Sequence, residues 1–198
     1  VSDRVVIIGS TGANLASLDF ALRRLGVDAP VSEDPERIRA AGKTILPGVG
    51  AAKDAMNRLR QAGLDQLIPT LERPLLGICV GMQLLFERSE EDDAQCLGIV
   101  AGTVARFPDR PGLPVPEMGW NQLERLSGSA LLRDVSEGEY AYFVHSYAAP
   151  VCEFTIATST YGIAFTAAVA KDNFYGTQFH PERSARVGSK ILENFLAI

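Results

Sequence analysis

Two short segments of the chain carry residue types able to do covalent chemistry. In Gly77-Ile78-Cys79-Val80-Gly81 a cysteine stands between two glycines, and in His180-Pro181-Glu182 a histidine precedes a carboxylate by two positions. A glycine-x-nucleophile-x-glycine pattern between an apolar strand and a helix predicts a sharp turn that lifts the Cys79 side chain into the open. Backbone N–H groups at the start of the following helix favour an anion there, so the thiol is expected to ionise readily. The Val80 N–H is placed to bind a developing oxyanion. With two histidines in the chain, the search for a base is short. His180 lies at the end of an apolar strand, Pro181 stiffens the turn, and Glu182 can hold the imidazole in one tautomer. The chemistry expected is acyl transfer through a thioester: the thiolate attacks a carbonyl, His180 protonates the leaving group, and water releases the acid. The glycine-flanked Val49, in Pro47-Gly48-Val49-Gly50, supplies a second candidate oxyanion loop through the Val49 or Gly50 N–H. Peptidases, amidases and thioesterases would all use such parts.

The elements needed to position these residues are legible upstream. Val5 to Ile8 reads as a strand, and Leu15, Leu18, Leu22 and Leu25 recur at helical spacing. Thr44 to Leu46 and Leu75 to Ile78 read as further strands. Met56, Leu59 and Leu64 mark a helix between them, and Met82, Leu84, Leu85 and Phe86 one after Cys79. This alternation predicts an α/β fold with a mostly parallel sheet covered on both faces. Further on, residues 98–107 are β-like and Pro108 to Pro116 form a loop. Closely spaced strands are then expected over 140–148, 154–160, 163–170 and 174–179, as antiparallel additions to the sheet. Ser189 is expected to cap a final helix carrying Ile191, Leu192, Phe195 and Leu196. No repeat or linker interrupts the chain, so one domain over 1–198 is expected.

Composition narrows the class. Of 198 residues, 46% are hydrophobic and 22% charged, with a net charge of −5, which suits a globular protein and offers no broad basic face to nucleic acid. The three cysteines, Cys79, Cys96 and Cys152, are too few and scattered for a disulfide framework, so free thiols in a reducing compartment are expected. Neither a signal peptide nor a membrane-spanning run is visible, and the expected location is the cytoplasm. Two histidines and distant cysteines give no close ligand pair, so no metal site is expected. His145, in Tyr142-Phe143-Val144-His145-Ser146-Tyr147, is expected to line a pocket or satisfy a local hydrogen bond. Trp120 beside Gly119, after a proline-rich stretch, reads as an aromatic anchor for a partner or as a core tryptophan under a loop.

Gly77-Ile78-Cys79-Val80-Gly81-Met82-Gln83 and Gln178-Phe179-His180-Pro181-Glu182 resemble the two signature motifs of the triad-type, class I glutamine amidotransferases. Pro47-Gly48-Val49-Gly50, Met118-Gly119-Trp120-Asn121, residues 142–147, Asn14-Leu15 and residues 171–176 resemble, within that family, the glutaminase subunits of imidazole glycerol phosphate synthases. The resemblance implies a three-layer α/β fold with a flavodoxin-like core. It also implies hydrolysis of L-glutamine to glutamate and ammonia without a cofactor. The ammonia would pass to a (β/α)8-barrel cyclase partner in a heterodimer. That partner makes imidazole glycerol phosphate and an aminoimidazole carboxamide ribonucleotide in histidine biosynthesis.

Carried onto this chain, the family pattern makes Cys79, His180 and Glu182 the triad, with Val80 and Val49 as oxyanion donors, the latter after a peptide flip coupled to the partner's ligand. Gln83, Glu91, His145, Ser146 and Tyr147 would contact glutamine. Asn14, Met118, Trp120, Asn121, Tyr142 and Arg183 would face the cyclase or the ammonia exit. Two departures stand out: Gly9-Ser10-Thr11-Gly12 replaces the usual opening loop, and Glu117 stands where the family commonly carries histidine. Rival readings are a glutaminase serving another synthase, a non-catalytic binding protein with the same fold, and a free-standing cysteine peptidase.

Overall fold

The computed structural model describes residues 4–9 and 15–198. In chain order the elements are β1 (Val6–Ile8), α1 (Ala16–Arg24), β2 (Val31–Ser32), α2 (Pro35–Ala40), β3 (Thr44–Gly48), α3 (Ala52–Gln61), α4 (Leu64–Leu67), β4 (Leu75–Cys79) and α5 (Val80–Gln83). There follow β5 (Phe86–Ser89), β6 (Ala94–Gln95), β7 (Val100–Arg106), β8 (Glu117–Gln122), β9 (Tyr140–His145), β10 (Tyr147–Ala148), β11 (Thr155–Tyr161), β12 (Ile163–Lys171), β13 (Phe174–Thr177) and α6 (Ala185–Ala197).

The main sheet has seven strands in the order β11-β12-β13-β4-β3-β1-β2. Strands β2, β1, β3, β4 and β13 run parallel, while β12 pairs antiparallel with both β11 and β13. The parallel part has the flavodoxin-like order, in which the carboxyl ends of the strands carry the binding site. Every residue of β1, β3 and β4 is buried, as a parallel sheet covered on both faces requires. On α1, Leu18 and Leu22 face the core, and on α3 Met56 and Leu59 do so. Helix α6 packs Ile191, Leu192 and Phe195 inward.

Three expectations are corrected. The helix after Cys79 is a single turn, Val80–Gln83, and Phe86 opens β5 in a second, four-stranded sheet ordered β10-β7-β5-β6. A short apolar run cannot by itself tell a buried helix from a buried strand. Residues 140–148 do not join the main sheet: β9 pairs with β8 in a separate two-stranded ribbon and β10 joins the second sheet. Helix α6 begins at Ala185, preceded by Ser184, so Ser189 lies inside it. Among the described residues no helix is long and apolar enough to cross a membrane.

Candidate active site

Strand β4 delivers Cys79 to the sheet's carboxyl edge in a backbone conformation that L residues seldom adopt, φ 56° and ψ −114°. Such strain costs about 1–3 kcal/mol and persists only where the surroundings enforce it. Here the enforcement is steric. A Cβ on Gly81 would lie 1.8 Å from the Leu46 carbonyl oxygen, and one on Gly77 would lie 2.6 Å from the Gly81 carbonyl oxygen. Strands β3 and β4 and the one-turn α5 thus pack backbone to backbone, and the turn has no room to relax. Because α5 has only four residues, its contribution is local N–H groups rather than a long helix's potential. The expectation of an open Cys79 side chain is corrected: the residue is 4% exposed, closed in by the same close packing of the turn.

His180 arrives from the neighbouring strand. After β13 the backbone continues to the His180 N–H, which donates to the Tyr142 carbonyl at 3.0 Å. The Ser184 hydroxyl donates to the His180 carbonyl at 2.7 Å and accepts the Tyr142 N–H at 2.9 Å. A 3-10 turn over Pro181–Arg183 brings Glu182 back under the ring, with His180 Nδ1 2.8 Å from Glu182 Oε1. A carboxylate can only accept, so Nδ1 carries the proton and Nε2 is left for the Cys79 sulfur. Burial opposes a charged imidazole, but the hydrogen bonds and charges of Cys79 and Glu182 outweigh it and push His180 up to about 10. Of the other thiols, both half-buried, Cys96 is pushed up to about 11 by burial, which keeps it an unreactive thiol.

Beside the dyad opens a cleft of about 500 Å³. Its lining brings together Val49, Gly50, Val80, Gln83, Glu91, His145, Ser146 and Tyr147, together with His180. These residues span more than a hundred positions of sequence, and every oxyanion and substrate contact expected from the sequence is among them. Gln83 is almost wholly buried, its amide donating to the Tyr147 carbonyl at 2.9 Å and to Gln178 Oε1 at 3.0 Å. Glu91 Oε2 accepts the Ala52 N–H at 2.8 Å, and burial of its carboxyl pushes its pKa up.

Glu117 opens β8 and lies on the inner face of the ribbon. Its Oε2 faces His145 Nε2 at 3.1 Å with both side chains buried, an ion-pair distance whose angle falls outside good hydrogen-bond geometry. His145 Nδ1 donates to the Tyr147 carbonyl at 2.8 Å, which fixes the tautomer. Phe107, Phe143 and Phe165 enclose the imidazole.

On the outer face of the β8–β9 ribbon, Met118 is 66% and Trp120 53% exposed. Trp120 meets Tyr142 edge-on at 6.0 Å, and the exposed Arg183 guanidinium lies 4.7 Å over the Tyr142 ring. Trp120 is therefore no core tryptophan, although it does sit on a strand. Asn121, expected beside Met118 and Trp120 at a partner, points to the other face: its amide donates to Glu117 Oε1 and to the Thr160 carbonyl. Strand alternation places it there. Asn14 and positions 10–12 of the opening loop lie outside the described residues. Sequence reasoning gave no role to Gln178 or Ser184, nor a partner to Glu117. Gln178 stood within the histidine motif, but nothing in its type or spacing signalled contact with Cys79.

The family model described as glutamine amidotransferase class-I matches residues 9–198. Imidazole glycerol phosphate synthase subunit HisH of Xanthomonas euvesicatoria pv. vesicatoria is 53% identical over 192 residues, covering 97% of this chain and 96% of that one. The subunit HisH of Pectobacterium atrosepticum is 52% identical over 194 residues, covering 98% of each. The crystal structure of a glutamine amidotransferase from Thermotoga maritima superposes with a TM-score of 0.69 at 19% identity, covering 98% of this chain and 83% of that one. At that identity the likeness speaks for the fold. The motifs, the sheet order and the relatives agree, and the chain belongs to the class-I glutamine amidotransferases, among the HisH subunits of imidazole glycerol phosphate synthase.

Proposed function

We propose that this chain, as one glutamine amidotransferase domain over 1–198, hydrolyses L-glutamine through a Cys79 thioester and hands the ammonia to a cyclase partner. The observation that carries the reading is the strained Cys79 and the His180 held by Glu182, beside a cleft lined by two candidate oxyanion loops. The Cys79 thiolate attacks the side-chain amide carbon, and the oxyanion is received by the N–H groups of Val80 and of the Val49–Gly50 loop. His180 then gives its proton to the departing ammonia. A water, activated by the now neutral imidazole, attacks the thioester carbonyl, releasing glutamate and regenerating the thiolate. Gln83, Glu91, His145, Ser146 and Tyr147 surround the substrate, with Glu91 facing its amino group.

The exposed Met118–Trp120 face, with Tyr142 and Arg183, is where a (β/α)8-barrel cyclase would dock to form a heterodimer, and the setting is the cytoplasm. The test is glutamate release by the purified chain alone, and then with the cyclase and its nucleotide ligand. Strong stimulation in the full mixture is expected. Cys79→Ala should abolish glutamine-dependent product while leaving complex formation and ammonia-dependent synthesis intact. Glutamine-dependent product from that variant would remove Cys79 as the nucleophile.

A further inference from the structure

Gln178 is fully buried, lies two residues before His180, and has its side-chain nitrogen 3.8 Å from the Cys79 sulfur. The direction of its amide follows from a main-chain group. The Tyr147 carbonyl can only accept, so the Gln83 atom facing it at 2.9 Å must be Nε2. That same nitrogen lies 3.0 Å from Gln178, which must therefore present Oε1 to it. With its oxygen so engaged, Gln178 has an N–H left to aim at the sulfur. The opposite orientation would set donor against donor at Gln83. The His145 Nδ1–H donates to the same Tyr147 carbonyl at 2.8 Å and fixes the start of the chain.

We infer that Gln178 is a further catalytic residue, whose Nε2–H donates to the Cys79 thiolate and which Gln83 orients as a positioning residue. The inference rests on Cys79 being the nucleophile. Hydrogen bonding to the charged form of a group favours that form. The Val144 carbonyl, 3.9 Å from the sulfur, can only accept and so favours the neutral thiol. An N–H donor on the sulfur opposes that preference without adding a charge. It also leaves Nε2 of His180 to serve the leaving group. The titratable group beside the sulfur is His180, with Glu182 behind it, while His145 and Glu91 line the adjoining cleft.

The experiment is alkylation of Cys79 in the full chain by iodoacetamide as a function of pH, followed on the Cys79 peptide by mass spectrometry so that Cys96 and Cys152 do not contribute. Gln178→Met should slow labelling at neutral pH by about tenfold, the low end for a hydrogen bond to a charged group, and move the midpoint upward. Gln178→Glu, ionised beside the thiolate, should move it further. A merely structural role would lower the melting temperature of both variants without moving the midpoint, and unchanged midpoints in folded variants would overturn the inference. Should neither variant fold, the wild-type chain decides. The Gln178 Nε2 protons should shift in NMR as Cys79 ionises and stay still in Cys79→Ala, whereas no shift in the wild type would overturn the inference. Failure of a glutamine-mimicking electrophile to label Cys79 at any pH would instead sink the nucleophile assignment.

Discussion

Glu91 holds together two parts of the site that are far apart in sequence, and its replacement tests whether that matters. Helix α3 begins directly after the Val49–Gly50 loop, and the residue at its N-cap position, Ala51, has no side chain able to cap. Glu91, 39 positions away, supplies the missing acceptor by taking the Ala52 N–H at 2.8 Å. Ala52 is fully buried, so loss of this acceptor leaves a donor without water to replace it. Removing a cap typically costs about 1 kcal/mol, and an orphaned buried donor about 1–3 kcal/mol. Glu91→Ala should therefore cost about 2 kcal/mol, or roughly 4–8 °C in melting temperature for a chain of this size. Glu91→Gln keeps an oxygen for Ala52 and loses only the charge, so it should cost under about 1 kcal/mol.

Kinetics of the complex with the cyclase should separate the two roles of Glu91. Both variants should raise KM for glutamine by about tenfold or more, because the substrate's ammonium loses its carboxylate. Only the alanine variant should also lower kcat, because only there does the start of α3, and with it the oxyanion loop, lose its anchor. Circular dichroism melts together with steady-state glutamate release make the comparison. Equal melting temperatures and equal kcat in the two variants would refute the capping argument, and an unchanged KM in both would remove Glu91 from substrate binding.

Gly81→Ala places a Cβ 1.8 Å from the Leu46 carbonyl oxygen. Backbone must move, so little folded protein is expected from expression, and a normal melting temperature would contradict the packing account. Trp120→Ala should weaken binding to the cyclase by about 2 kcal/mol, near thirtyfold, measured by titration calorimetry, while the chain's own melting temperature changes little; an unchanged affinity would show that docking occurs elsewhere. The His180 pKa is raised by Cys79 and Glu182, so the stabilisation tied to its proton is fully present below the ordinary value of about 6.5 and is lost as pH rises through about 10. In Cys79→Ala one cause is gone, and the NMR titration midpoint of the His180 ring should fall; the same midpoint in both proteins would mean the thiolate is not its partner.

The catalytic turn was legible because its constraint is local. Only glycine fits at 77 and 81, and the sequence writes that constraint beside the cysteine itself. The parallel core was legible for a similar reason, since strands buried on both faces must be apolar throughout. Phe86 was misread because apolar residues at 82 and 84–86 suit a buried helix and a buried strand equally. The partners of Gln178 and Glu91 were invisible, since the contacts span 99 and 39 positions and depend on which strands become neighbours. Ser184 precedes α6, but its hydroxyl does not cap the helix. It ties His180 to Tyr142, a use that only the folded turn creates.

The β8–β9 ribbon resists a sequence reading for a deeper reason. Its polarity is inverted: Glu117 and Asn121 face inward while Met118 and Trp120 face outward. Fully burying a large apolar side chain is worth about 1.5–3 kcal/mol, and this strand forgoes that gain at two positions. On the inner face a carboxylate has to be accommodated, through the Asn121 amide and beside the His145 ring. A ribbon serving only the stability of this chain would place these residues the other way round. The arrangement makes sense if the outer face is covered by a partner and the inner face must stay polar to reach the cleft. His145 and Tyr147 then connect Glu117 to Gln83, Gln178 and the sulfur. The Tyr147 carbonyl accepts from both His145 and Gln83, and Gln83 also donates to Gln178, whose own N–H points at the sulfur.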